Sequence, residues 1–228
     1  MENAFEIEVS LEQRKLLDEH LRLVLEFNDK LNLTRITDWD QAQLLHVEDS
    51  LAGLGYLQAA PEGLYTDMGS GGGFPGISLA ITSQRQTTLI ESVKKKAAAL
   101  EQMVAQLGLA GQVEVSSLRV EELASERPGA YAVVTARALS ALPSLLELAS
   151  PLLKPQGVLI CYKGAPEPAE VDQAAAIASQ TGLALEQEVH YTLSDESTPR
   201  SLYIYRKISE PTVKLPRRIG LAQKRPLR

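Results

Sequence analysis

Apolar residues recur at helical spacing near the start of the chain and predict an amphipathic helix from Ser10 to about Asn32. Ser10 and Gln13 have the spacing of a capping box, in which each side chain bonds the backbone N–H of the other residue. Residues 32–37 interrupt the pattern, and a second apolar stripe predicts another helix after Asp38. We expect these two helices to cover one end or face of the remaining molecule.

From Leu64 onward, short apolar runs alternate with helical patterns, which indicates a parallel sheet with crossover helices. The runs predict strands at 64–68, 87–91, 113–116, 131–136, 157–162, 185–192 and 201–206. Helices are predicted at 76–82, 94–107, 143–153 and 168–180. Only a polar loop separates the last two strands, so they must be antiparallel. The pattern therefore predicts an α/β fold: a doubly wound, mostly parallel seven-stranded sheet that ends in an antiparallel hairpin and carries N-terminal helices.

The stretch DMGSGGGFPG, residues 67–76, joins the first strand to its helix and is the candidate ligand site. In a doubly wound sheet, ligands bind at the carboxyl ends of the strands, near the first strand. Glycine permits positive φ in a tight turn and lets a ligand lie directly on the backbone. Two further features fall at this edge. Glu91 ends strand two, where its carboxylate can accept hydrogen bonds from ribose, and RVEE at 119–122 follows strand three, where an acid could meet an adenine amino group.

Two ligand classes compete for this loop. Residues 71–76 satisfy G-x-G-x-x-G, the dinucleotide fingerprint, but with a proline and a phenylalanine inside the turn. Counted from the strand, the spacing is instead Asp67, Gly69, Gly71 and Gly73, which is the loop form of S-adenosylmethionine (SAM) methyltransferases. SAM carries no phosphate, and its methionine ammonium favours a nearby acid such as Asp67. The sequence thus favours SAM over a dinucleotide.

Composition limits the remaining possibilities. The 228 residues suffice for one substantial core, and no apolar run approaches the roughly 20 residues that span a bilayer. Residues 1–6 lack the apolar core of a secretory signal, Cys161 is the only cysteine, and no Cys/His cluster has zinc spacing. We therefore expect a cytoplasmic protein without a metal, and we expect it to be a monomer. The expected divisions are an N-terminal helical cap at 1–60, a SAM-binding core at 61–208 and a basic C-terminal tail at 209–228.

Charge is unevenly distributed. The net charge is −6, yet six cations and no acid lie from Lys214 to the end of the chain. Such a basic segment can contact phosphates or can simply be a solubilising tail. If it contacts RNA, removing it should weaken RNA binding and flatten the salt dependence.

Several stretches together resemble the 16S ribosomal RNA guanine-N7 methyltransferase family (RsmG, also called GidB). The stretches are NLT at 32–34, HVEDSL at 46–51, DMGSGGGFPG at 67–76, RVEE at 119–122, TARA at 135–138 and YKG at 162–164. The resemblance implies a class I SAM-dependent methyltransferase with a Rossmann-like fold, whose substrate is N7 of a guanine in the 530 loop of 16S rRNA, in the 30S subunit. It also implies that SAM is contacted by Gly69, Phe74, Val120, Glu121 and Arg137. Glu91 and Ser92 would lie at the ribose.

The chemistry implied by this resemblance can be compared with the residues present. Guanine N7 has an in-plane lone pair and no proton, so its methylation requires alignment and no general base. We expect Arg137, Lys163 and Arg119 to place the guanine through phosphate or O6 contacts, because a donor on N7 would block the nucleophile. The alternative for each cation is an ion pair with a neighbouring acid. His46 and Asp49 lie on one helix face, where a structural hydrogen bond is commoner than a catalytic pair.

Two other functional classes stay open at this level. One is a SAM-dependent methyltransferase that acts on a small molecule or protein, although the basic end and the cations Arg119, Arg137 and Lys163 argue against it. The other is a nucleotide-binding or RNA-binding protein without catalytic activity. The lysines at 94–96 begin a helix, where cations are unfavourable. They are therefore candidates for an RNA-facing surface.

Overall fold

The computed structural model describes residues 8–195 and 197–228. Its strands are β1 (Leu64–Met68), β2 (Thr87–Ile90), β3 (Val113–Ser116), β4 (Tyr131–Arg137), β5 (Leu153–Lys163), β6 (Leu183–Thr192) and β7 (Pro199–Lys207). Its α-helices are α1 (Leu11–Leu31), α2 (Trp39–Ala42), α3 (Asp49–Leu51), α4 (Leu54–Ala59), α5 (Gly76–Ser83), α6 (Lys94–Gln106), α7 (Val120–Glu126), α8 (Leu142–Ala149), α9 (Pro168–Ala178) and α10 (Leu221–Lys224). The expectation about a signal at residues 1–6 falls outside the described residues.

The strands form one seven-stranded sheet in the order β3-β2-β1-β4-β5-β7-β6. Strands β1 to β5 pair in parallel, whereas β7 pairs antiparallel with both β5 and β6. The predicted doubly wound sheet with a terminal antiparallel hairpin is therefore confirmed. The chain passes from β1 to β2 on one side and later to β4 on the other, so the switch point lies at the carboxyl end of β1.

The N-terminal helix covers one face of this sheet, as its pattern predicts. Ser10 and Gln13 form the expected capping box, with N–H to side-chain distances of 3.0 and 3.1 Å. Leu17, Leu21 and Val24 are fully buried in a cluster that also contains residues of α5 and α6. Burying such side chains contributes roughly 1.5–3 kcal/mol each. The amphipathic stripe thus docks α1 on the two helices beside β1 and β2.

The second predicted helix is not regular. Residues Gln43–Glu48 form a π-helical turn between α2 and α3. An extra residue in the turn changes which side chains share a face. As a result, His46 contacts Thr34 at 2.7 Å, whereas the Asp49 carboxylate is turned toward Arg137. The side chains of His46 and Asp49 thus hydrogen-bond to different partners, while the charge of Asp49 still acts to raise the pKa of His46.

The C-terminal segment, residues 211–228, packs on the core. Ala222 in α10 is buried, and its carbonyl accepts a hydrogen bond of 2.9 Å from the buried hydroxyl of Ser144. Arg217 forms a two-pronged ion pair with Glu147, at 2.5 and 2.6 Å. The guanidinium of Arg217 is therefore engaged with Glu147, and the RNA role of this segment stays a prediction.

Within residues 8–195 and 197–228, none of the helices has the length and hydrophobicity of a membrane span. These residues also contain no group of three or more His, Cys, Asp or Glu side chains placed to hold a metal ion. Cys161 is fully buried in β5, where burial raises the pKa of its thiol well above the ordinary value.

Candidate cofactor and nucleic-acid site

The glycine loop after β1 has the backbone conformation that its sequence predicts. Gly69 and Gly71 have φ angles of 72° and 54°, a region that other residues enter only with strain. The amide N–H groups of Gly69 and Ser70 both donate to the carbonyl of Ile90, at 2.9 and 3.0 Å, and so tie the loop to the end of β2. Helix α5 begins at Gly76, after Pro75. The glycines that shape the turn are thus those counted from the strand.

The two strand-end acids hold this loop in different ways. Asp67 is buried beneath it, and its Oδ1 accepts a 2.7 Å hydrogen bond from Thr135. Burial raises the pKa of Asp67, and the hydrogen bond from Thr135 lowers it in part. Glu91 accepts hydrogen bonds from the amides of Gly71 and Val93, at 3.1 and 2.8 Å. Glu91 lies on the wall of the adjoining cavity, whereas Asp67 supports the loop from below.

A cavity of about 550 Å³ opens beside the loop. Its wall combines the loop (Gly69 to Gly72 and Phe74), strand-end residues (Glu91, Arg137, Tyr162 and Lys163), Lys96 of α6, Arg200 of β7, and N-terminal residues that include Leu33, Thr34, Leu45, His46 and Asp49. Its volume falls in the range of about 300–1,000 Å³ typical of small-molecule sites. The N-terminal helices therefore do more than cover the sheet, because they build one side of the cavity.

Phe74 is the aromatic centre of this wall. Its ring centroid lies 4.3 Å from that of His20 and 5.0 Å from that of His46, with the His46 ring nearly parallel to it. The guanidinium carbon of Arg137 lies 5.7 Å from the same centroid, within the range of a cation–π contact. Phe74 is thereby held between the N-terminal helices and β4, as a wall of the cavity.

The structure brings two of the three predicted cations, Arg137 and Lys163, to the cavity wall. Arg137 donates to Asp49 Oδ2 at 2.9 Å, and Lys163 lies 2.7 Å from Glu170. The ion pairs expected under the alternative interpretation are thus present, and both side chains still border the cavity. Arg119 is not on this wall; it is exposed and precedes α7, where its backbone N–H donates to Glu122 at 2.8 Å.

Besides Asp67 and the buried Gly73 of the loop, three more predicted cofactor residues lie outside the cavity wall. Val120 and Glu121 are buried in the first turn of α7, and Ser92 is half-buried next to Glu91. Glu121 accepts a 2.7 Å hydrogen bond from the amide of Gly220 in the C-terminal segment. These residues follow β2 and β3, so they stand at the same sheet edge as the glycine loop.

Both histidines beside Phe74 are poor proton acceptors. Burial lowers the pKa of His20 to about 4, and Nε2 of His20 lies 2.9 Å from the carbonyl of Gly72. Burial, aided by the positive charge of Arg137, lowers the pKa of His46 to about 4 as well. A base with so low a pKa is almost fully deprotonated at neutral pH but takes up a proton only weakly.

Asp49 is the residue whose role the sequence did not reveal. Its two carboxylate oxygens interact with Arg137 at 2.9 Å, with the Tyr191 hydroxyl at 2.9 Å and with Arg200 at 3.3 Å. These partners come from β4, β6 and β7, so one buried acid ties the N-terminal helices to both the sheet and the hairpin. In the sequence, the presence of an acid within HVEDS is the one indication of this role. The three partners of Asp49 are distant in the chain, so the pattern does not reveal them.

The strand order of the sheet and the glycine-lined cavity at the end of β1 are those of the class I methyltransferase fold. Among solved structures, an O-methyltransferase from Bacillus cereus in complex with SAH has a TM-score of 0.58 at 18% identity, and the match covers 82% of this chain and 90% of that one. The cyclase SpnF also has a TM-score of 0.58, at 14% identity, over 86% of this chain and 96% of that one. The fold therefore does not fix the reaction.

The family model described as GidB, rRNA small subunit methyltransferase G, matches residues 13–198. A ribosomal RNA small subunit methyltransferase G from Carboxydothermus hydrogenoformans is 34% identical over 226 residues, which cover 98% of this chain and 95% of that protein. The chain belongs to the rRNA small subunit methyltransferase G family.

Proposed function

We propose that this protein transfers a methyl group from SAM to N7 of a guanine in the 530 loop of 16S rRNA, within the small ribosomal subunit. Family membership supports methylation of small-subunit rRNA. The choice of N7 and of this loop follows from the resemblance of its motifs to the guanine-N7 methyltransferases.

The residues beside the cavity fit SAM. A methyl group on its positively charged sulfur is the electrophile that SAM supplies when bound. Gly69 and Gly71 line the cavity, a Cβ added at Gly71 would meet no atom closer than 3.9 Å, and Glu91 presents a carboxylate suited to ribose hydroxyls. We assign Gly73, Ser92 and Val120 to the residues that support the SAM-binding wall without lining it. We place Asp67 under the glycine loop, beneath the methionine part of SAM.

Of the described residues on the cavity wall, His46, Asp49 and Glu91 are each poorly suited to act as a general base. Glu91 already accepts hydrogen bonds from two backbone amides. His46 has a pKa of about 4, and its Nε2 is engaged with the Thr34 hydroxyl at 2.7 Å. Asp49 interacts with Arg137, Tyr191 and Arg200. Guanine N7 needs no deprotonation before it attacks, so positioning alone is sufficient for this substrate. A nucleophile that must lose a proton would find little assistance here.

The observation that carries the proposal is the convergence of four cations on the cavity that contains the glycine loop. They are Lys96, Arg137, Lys163 and Arg200. Among the described residues, the same wall carries the acids Asp49 and Glu91, so the cations outnumber the acids there. In a chain of net charge −6, this local positive charge favours a polyanionic substrate. Arg137 and Lys163 come from strand ends, where they can contact O6 or a phosphate and leave N7 free. Arg119 is exposed and would contact RNA outside the cavity.

Mass mapping of 16S rRNA from cells that lack the gene tests this function. We expect one 7-methylguanosine, in the 530 loop, to be lost and to return on expression of the wild-type protein. Expression of Arg137→Ala should not restore it. A fully modified 530 loop in the deletion strain would refute the proposed target.

A further inference from the structure

The C-terminal segment is docked along its length. Besides the Ser144 and Glu147 contacts, the side chains of Gln173 and Gln180 donate to the carbonyls of Leu227 and Arg228, at 3.0 and 3.1 Å. Arg217 also donates to the carbonyl of Arg225 at 2.7 Å, which fixes the fold of the segment itself. The segment therefore behaves as part of the core surface over α8 and α9.

One contact of this segment reaches the cofactor side of the sheet. The amide of Gly220 donates to Oε1 of Glu121 at 2.7 Å. Glu121 lies in the first turn of α7, directly after β3, and the end of β3 adjoins Glu91, since the Glu91 amide donates to the Ser116 carbonyl at 3.0 Å. Gly220 thus fixes one carboxylate oxygen of Glu121 and leaves Oε2 to accept a further donor.

We infer that the C-terminal segment is a positioning element for the adenine end of the cofactor site and acts through Glu121. This inference rests on the proposed use of SAM. Adenine presents an exocyclic amino group, a donor, whereas hypoxanthine presents an acceptor oxygen at the same place. The free carboxylate oxygen of Glu121 can accept a hydrogen bond from the adenine amino group, whereas it repels the oxygen of hypoxanthine. The segment thereby contributes to selection of adenine.

The contacts of the C-terminal segment indicate that it stays docked and does not open and close over the site. The Glu147 side chain is 1% exposed, and Arg217 neutralises it. Undocking the segment would break the ion pair of a carboxylate that is buried in the docked state, which is unfavourable. Ala222, at 2% exposure, would also become exposed. The segment therefore stays in place while a nucleoside binds.

Two full-length variants with the same charge change test the inference. Arg217→Gln removes the ion pair with Glu147, and the neighbouring Arg218→Gln removes an exposed arginine. Dissociation constants for SAM, adenosine and inosine are measured by calorimetry. We expect Arg217→Gln to weaken SAM binding about tenfold and to reduce the preference for adenosine over inosine by a similar factor. Arg218→Gln should change neither by more than about twofold.

Because Arg217→Gln leaves Glu147 buried and unpaired, Ser144→Ala provides a milder variant that removes only the hydrogen bond to Ala222. It should change both quantities in the same direction by a smaller factor. Unchanged SAM affinity in both variants would overturn the inference. Tighter SAM binding would also overturn it, because that result is expected if the segment blocks the site and has to move away before SAM binds. Weaker SAM binding with an unchanged adenosine preference would indicate a general structural role and would also overturn it. Wild-type protein that binds no SAM would instead refute the proposed function.

Discussion

Nη1 of Arg137 lies 2.9 Å from Oδ2 of Asp49, so the end of β4 is tied to a helix that begins 88 positions earlier in the chain. The side chains are only 14% and 5% exposed. Asp49 also lies 3.3 Å from Arg200, so a single buried carboxylate orients two of the four cations on the cavity wall. The placement of positive charge in this site depends on Asp49.

Asp49→Asn should therefore destabilise the protein, because two arginines would face a neutral amide in a buried site. We expect a loss of about 3 kcal/mol in the free energy of unfolding, measured by urea denaturation. Asp29→Asn, at an exposed position of α1, is the matched control and should change it by less than about 0.5 kcal/mol. Equal stability of the two variants would show that Asp49 does not hold the arginines.

Gly71→Ala should separate cofactor binding from stability. A Cβ at Gly71 would meet only the carbonyl oxygen of Gly69, at 3.9 Å, and Gly71 lines the cavity, so we expect the added methyl group to obstruct a ligand. We expect SAM binding to weaken by about tenfold or more, measured by calorimetry. Gly108→Ala is the control, because Gly108 has a similar positive φ of 71° and lies beyond the end of α6. Both variants should lose about 1–2 kcal/mol of stability, and SAM binding should be unchanged in Gly108→Ala.

Stability should fall as the pH is lowered from about 6.5 toward 4. The folded protein keeps His20 neutral, with a pKa of about 4, whereas the unfolded chain protonates it near its ordinary value of 6.5. The unfolded state thus binds more protons in this window, and the stabilisation present above pH 6.5 is lost as the pH falls. His20 alone accounts for about 3 kcal/mol.

Urea denaturation of the wild type and of His20→Gln at pH 7 and pH 5 measures this dependence. The variant should lose less stability than the wild type between the two values. His190, with a side chain 70% exposed, supplies the control substitution His190→Gln. An identical loss in wild type and His20→Gln would contradict the assignment.

Lys96→Gln should weaken RNA binding through loss of one phosphate contact. Lys96 is half-buried on the cavity wall, whereas Lys15 is exposed near the start of α1. In a plot of log affinity against log salt concentration, we expect the slope for 16S rRNA to fall in magnitude by about 1 for Lys96→Gln. Lys15→Gln should retain the wild-type slope. Equal slopes for the two variants would show that Lys96 does not contact the RNA.

Much of the fold could be predicted because its strands are short, apolar and clearly bounded. The strands 64–68 and 113–116 have the predicted limits, and the antiparallel ending follows from the absence of a helix between the last two strands. The sequence pattern does not predict helix α7, because its seven residues are too few to show a clear helical period. The π-helical turn at Gln43–Glu48 was also unforeseen, since its apolar pattern is that of an ordinary helix.

The candidate site could be predicted where backbone geometry determines it. The glycine spacing implied the positive φ angles of Gly69 and Gly71, and the convergence of parallel strand ends implied that Arg137 and Lys163 lie together. The pairings of Asp49 and Arg217 could not be foreseen, because each depends on how distant elements pack. Arg119 was grouped with the cavity cations on sequence position alone, and the start of α7 carries it away from the wall.

The proposed reaction depends on transfer of the methyl group to guanine N7. It is tested by measuring methyl transfer from SAM to small subunits reconstituted with 16S rRNA that carries either guanine or 7-deazaguanine at the target position. The two bases have the same hydrogen-bonding groups except at position 7, where the lone pair is replaced by C–H. We predict methylation of the guanine substrate and none of the 7-deazaguanine substrate. Equal methylation of both would contradict the assignment of N7 as the acceptor.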